Sequence, residues 1–250
     1  MRELLTPWRW HAGRAGDGGS GGGGSKRREP VGRAESMIGE SGESGAKGIP
    51  AKGSPKRMLN RRDQSGYTPL MACARTGQLP AVVLLLQHGA AVDSALSSEH
   101  AAHDAARADA AQAGFNALFL ACRFGHHATA RALIQEGAAI ESQTVSGSSP
   151  LQYACKFGHE EVVRALIKLR ANVNHLGDGG WHALFDASMN GYAEIIRDLC
   201  AAGANVDVSN GTSGYTPLMF ACQNGHVEAA TSLIDAGTYL DAKTKDGGRT

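Results

Sequence analysis

The chain has 250 residues, 42% hydrophobic and 20% charged, with 25 basic and 24 acidic side chains and a formal net charge of +1. That balance suits a globular protein and excludes a global electrostatic pull toward nucleic acid. No stretch approaches the roughly 18 consecutive apolar residues of a membrane-spanning helix. Residues 1–24 lack an apolar core between their charges, which argues against a secretory leader. Glu3 and Asp17 interrupt the Arg-rich start, which argues against a transit peptide. Five cysteines (Cys73, Cys122, Cys155, Cys200 and Cys222) are spread evenly with no CxxC pair. This argues against a disulfide framework or a zinc site and leaves reduced thiols in a cytoplasmic or nuclear compartment as the expectation.

Residues 1–60 read as a disordered tail. Gly18 to Ser25 has the composition of a flexible linker, and residues 26–60 offer too few large apolar groups to offset the entropy of ordering. Trp8 and Trp10 interrupt the tail as a candidate docking motif, with a tail of no specific role the simpler reading. Lys52, Lys56, Arg57, Arg61 and Arg62 form a basic cluster, read as solvated linker charge ahead of a localisation signal.

From Gly66 the sequence repeats itself. The glycines of Gly66-Tyr67-Thr68-Pro69-Leu70, Gly114-Phe115-Asn116-Ala117-Leu118, Gly147-Ser148-Ser149-Pro150-Leu151, Gly180-Trp181-His182-Ala183-Leu184 and Gly214-Tyr215-Thr216-Pro217-Leu218 succeed one another at 48, 33, 33 and 34 residues. Each segment predicts a short apolar helix ending at a glycine (Gly77, Gly125, Gly158, Gly191, Gly225) and then a second helix. Thr68, Ser149 and Thr216 are N-cap residues, whose side-chain oxygen satisfies an orphan backbone N–H. Pro69, Pro150 and Pro217 fall at the first helical position, where a missing N–H costs nothing. One such helix pair cannot bury its apolar face alone, so neighbours must stack.

The period near 33, the Thr-Pro-Leu starts and the Gly-His junctions at Gly125-His126, Gly158-His159 and Gly225-His226 resemble the ankyrin repeat. The resemblance implies an all-α solenoid of stacked helix-turn-helix units with β-hairpin loops. The array is expected over 61–250, with repeats at about 62–93, 112–141, 145–174, 178–207 and 212–241. An insertion occupies 94–111, read as a tolerated loop ahead of an extra arm on the binding face. A truncated sixth repeat is expected from 246, which suggests a fragment of a longer array or a truncated gene model.

The departures from the family pattern are specific. Asn116 replaces threonine yet keeps a capping side chain, whereas His182 is expected to cap poorly. Arg170 stands where other repeats have glycine, so a side chain is expected at positive φ. The family's histidine after Thr-Pro-Leu is replaced by Met71, Phe119, Gln152, Phe185 and Met219.

No catalytic motif is present: no phosphate loop, no HExxH, no GxSxG. His126, His159 and His226 recur one per repeat, in a line rather than around a point, so they are expected to be structural rather than zinc ligands. Cys122, Cys155 and Cys222 share one register that Ser188 fills in repeat 4, as small core residues. No enzyme activity, cofactor or metal is expected. The pattern around Asn174 also resembles the hairpin asparagines modified by an oxygen-sensing hydroxylase.

In ankyrin proteins, partners dock on the face made by hairpin tips and first helices. The residues after the repeat glycines place Tyr67, Phe115, Trp181 and Tyr215 there, as interface anchors or as packing residues. The residues before the inter-helix glycines add Arg75, Arg123 and Lys156, interleaved with Phe124 and Phe157. The expectation is a scaffold or adaptor that binds another protein through these nine residues, by an acidic or extended segment, with neither nucleic acid nor membrane as partner. The alternative is a targeting module of a larger enzyme or channel continuing past residue 250.

Overall fold

The computed structural model describes residues 58–97 and 113–244. The expected tail through residue 57, most of the insertion and the start of a sixth repeat lie outside the described residues.

Ten α-helices lie wholly within the described residues, as five pairs: α1 (Pro69–Arg75) and α2 (Leu79–Gln87), α3 (Ala117–Arg123) and α4 (His127–Gln135), α5 (Pro150–Lys156) and α6 (Glu160–Lys168), α7 (Ala183–Asn190) and α8 (Ala193–Ala201), α9 (Pro217–Gln223) and α10 (Val227–Asp235). The odd-numbered helices pack in one row and the even-numbered helices in a second, each against its neighbours before and after. This is the two-layer helical solenoid expected from the repeat.

Local chemistry starts each inner helix. Thr68 Oγ1 accepts from Met71 N at 3.3 Å, Asn116 Oδ1 from Phe119 N at 3.1 Å, and Thr216 Oγ1 from Met219 N at 3.3 Å. Ser149 Oγ accepts from Gln152 N while Gln152 Oε1 accepts from Ser149 N, a reciprocal capping box. His182 caps as well, but through Nδ1, which accepts from Leu184 N two residues on at 3.2 Å rather than from the third residue as in the other repeats.

The inner helices carry most of the core. In α3, Ala117 to Cys122 are all buried, and in α7 Ala183 to Ser188. The outer helices are amphipathic, burying single stripes such as Val162, Val163 and Leu166 or Ile195, Ile196 and Leu199. Arg170 sits at φ 68°, the only non-glycine at positive φ among the described residues.

The loops are hairpin-shaped without being β-hairpins. Backbone bonds close the turns at their base, Thr144 N to Ser148 O at 3.0 Å, Gly177 N to Trp181 O at 2.8 Å and Asn210 N to Tyr215 O at 2.9 Å, and within them, as from Gly147 N to Thr144 O at 2.9 Å. The chain then turns into a helix cap, so the described residues hold one isolated bridge, Leu176 with His182, and no strand.

A row of side chains, beginning at Asn60 ahead of α1, ties each segment that precedes an inner helix to the loop after the next outer helix. Asn60 Oδ1 accepts from Ala91 N, Asp93 Oδ1 from Ala139 N, Glu141 Oε1 from Asn172 N, Asn174 Oδ1 from Asn205 N, and Asp207 Oδ1 from Tyr239 N, at 2.8–3.1 Å. Arg62 is structural as well, donating to Gly66 O at 2.8 Å and Ala95 O at 2.9 Å.

Candidate functional site

The C-terminal ends of α1, α3 and α5 put Arg75, Arg123 and Lys156 at one register, one cation per repeat. Phe124 and Phe157 cap the C-termini of α3 and α5 and remain about 40% exposed, at 41% and 39%. These groups touch in alternation. The Arg75 guanidinium lies 5.7 Å from the Tyr67 ring and 5.8 Å from the Phe124 ring. The Arg123 guanidinium lies 5.6 Å from Phe124, 5.4 Å from Phe157 and 6.0 Å from Phe115. The Lys156 ammonium lies 5.9 Å from both Phe157 and Tyr153. Each exposed ring therefore meets two cations at cation–π range. The row thus alternates a cation with an exposed ring across repeats 1–3.

Below this row is an aromatic floor. Phe115 stacks on Phe119 at 5.2 Å and meets Tyr153 edge-on at 4.9 Å. Phe115 is fully buried and Tyr67 is 8% exposed, so these two support the face from behind. Trp181 and Tyr215 stay half-buried and join a second cluster with Phe185 and Phe220, at centroid separations of 5.4–5.8 Å. The nine expected residues thus fall into two groups, a cationic row over repeats 1–3 and a neutral aromatic patch over repeats 4 and 5.

Asp186 lies between the groups, in α7, only 5% exposed. Burial pushes its carboxyl up to about 6, against the opposing pull of the Trp181 hydrogen bond and the Lys156 charge. Sequence reading missed Asp186, Tyr153 and Phe220. Their shared position four residues before Asn190, Phe157 and Asn224 was the available signal, since i and i+4 share a helix face.

Family models for ankyrin repeats match residues 96–176 and 169–246, and one for a single ankyrin repeat matches 65–95. The chain belongs to the ankyrin-repeat family. No curated protein matches it in sequence. Ankyrin repeats generally mediate protein–protein interaction.

Other chemistry-bearing groups of this ankyrin array are engaged within it. His126, His159 and His226 donate from Nε2 to the carbonyl oxygens of Arg75, Arg123 and Met189, at 3.1, 2.7 and 3.0 Å. Tyr192 holds the same register in repeat 4, and its ring lies against Gly158. Cys122 and Cys155 are fully buried, and burial raises both thiol pKa values, away from the reactive thiolate. Asn174 donates to Gly203 O at 3.0 Å while its Oδ1 takes the Asn205 N–H, so both ends of its amide hold the stack. No helix among the described residues is long and apolar enough to cross a membrane.

Proposed function

We propose that this chain is a scaffold or adaptor that binds another protein on its inner-helix face, with an acidic, extended segment lying along repeats 1–3. The supporting observation is the alternating row Arg75, Phe124, Arg123, Phe157, Lys156, whose cations lie 5.4–5.9 Å from rings that themselves stay exposed. Exposed aromatic and arginine side chains are the residue types that anchor interfaces. Trp181 and Tyr215 extend the contact onto repeats 4 and 5, with Tyr67 and Phe115 as its backing. The reading assigns the chain no chemistry of its own and no cofactor, and it places the protein in the cytoplasm or nucleus.

The test is site-directed photo-cross-linking in the full chain. A photoreactive residue at Phe124 or Phe157 is expected to capture the partner, and one at Val227, 75% exposed on α10, is not. Equal capture from Val227 would place the partner elsewhere.

A further inference from the structure

We infer that the partner segment is a polyproline-II stretch with a carboxylate at every third residue, three in all, followed or preceded by an apolar residue. This rests on the binding face proposed above and specifies its ligand.

The cations come one per repeat, so their spacing follows that of the packed inner helices, roughly 8–10 Å. An extended strand presents one face at every second residue, roughly 6.7 Å, which falls short. A polyproline-II helix rises about 3.1 Å per residue with three residues per turn, so side chains at i, i+3 and i+6 recur every 9.3 Å or so on one face. That pitch fits the cations.

The rings between the cations argue the same way. Phe124 stands between Arg75 and Arg123, and Phe157 between Arg123 and Lys156. Proline-rich segments dock on exposed aromatic rings because their backbone is preformed and loses little entropy on binding. The two residues between successive carboxylates would lie over these rings.

The row also has an end. In repeat 4 the cation register is taken by Met189, and Asp186 brings a buried carboxyl next to Lys156. A fourth acid there would meet no cation. The neighbouring Trp181 and Phe220 rings, 5.8 Å apart, offer an apolar contact instead. The segment therefore reads acid-x-x-acid-x-x-acid-x-x-apolar, in either chain direction.

The test uses the full chain and three labelled peptides in fluorescence anisotropy. The first is Glu-Pro-Pro-Glu-Pro-Pro-Glu-Pro-Pro-Leu. The second has the same composition with its three glutamates together. The third is helical, with glutamates seven residues apart. The spaced peptide is expected to bind at least about tenfold tighter than either control, and Arg123→Ala to weaken it by about fivefold or more. Met189→Arg should extend the row, so that a peptide with glutamate in place of leucine gains about fivefold on the variant over the parent chain. Equal binding of the spaced and clustered peptides, tighter binding of the helix, or no binding by any of them would overturn the inference. Cross-linking at Phe124 and Phe157 would still report separately on the face.

Discussion

His126 donates from Nε2 to the backbone carbonyl of Arg75 at 3.1 Å, so repeat 2 grips the residue whose side chain begins the cationic row of repeat 1. His159 does the same to Arg123 at 2.7 Å. The histidine that marks the repeat in the sequence thereby holds the backbone of the residue that carries the cation of the preceding repeat. His159→Ala is expected to destabilise the array by about 1–3 kcal/mol, because it leaves an acceptor unpaired and opens space beside Gly125. Urea denaturation of the parent and variant measures it, and an unchanged midpoint would show that the bond contributes nothing.

Arg170 sits at φ 68°, where a side chain is strained and glycine is not. Arg170→Gly is expected to stabilise the protein by about 1 kcal/mol, relief of strain outweighing the added freedom of the unfolded chain. A lower melting temperature for the variant would contradict this.

Ser188 is fully buried and its Oγ has no hydrogen-bond partner, at the register where repeats 2 and 3 bury cysteine. An unpaired buried hydroxyl costs about 1–3 kcal/mol. Ser188→Cys and Ser188→Ala should both raise the denaturation midpoint, and a drop in both would mean the hydroxyl is satisfied in solution.

Two buried groups set opposing pH dependences. Burial lowers His182 from 6.5 to about 4, with His175 adding repulsion, and its Nδ1 must stay unprotonated to cap α7. Its contribution is complete above pH 6.5 and is lost as pH falls through 4, at up to about 3 kcal/mol. Asp186 is raised from 3.8 to about 6, so its contribution is complete below pH 3.8 and is lost as pH rises through 6. Asp186→Asn is therefore expected to stabilise the array at pH 7 and to confer no advantage below pH 4. Stability measured from pH 4 to 7 should fall more steeply on acidification in Asp186→Asn than in the parent, because only the His182 term remains in the variant, and parallel curves would contradict the Asp186 assignment.

How much of the fold and the face was legible depends on which residues repeat in type. A Thr- or Ser-Pro start and a Gly-His junction each recur in three of the five repeats, so helix starts and a structural role for the histidines could be read directly, while the carbonyl each histidine bonds could not. Arg170 was visible because only its side chain broke a run of glycines. The loop-tying row escaped notice because Asn60, Asp93, Glu141, Asn174 and Asp207 differ in type and share only acceptor oxygens. At the proposed face, register alone could not separate Phe115, sealed under Phe119 and Tyr153, from the half-buried Trp181 and Tyr215. His182 looked like a weak cap because capping propensity counts hydroxyls and amides, while an imidazole nitrogen in the neutral state accepts as well.

The most direct test of the binding face is the affinity of the cross-linked partner, once isolated, for the parent chain and for Arg75→Ala/Arg123→Ala/Lys156→Ala. Circular dichroism melts of both proteins would show that the variant is folded. A loss of about thirtyfold or more in affinity is the result expected if the cationic row carries recognition. Unchanged affinity in a folded variant would contradict the account.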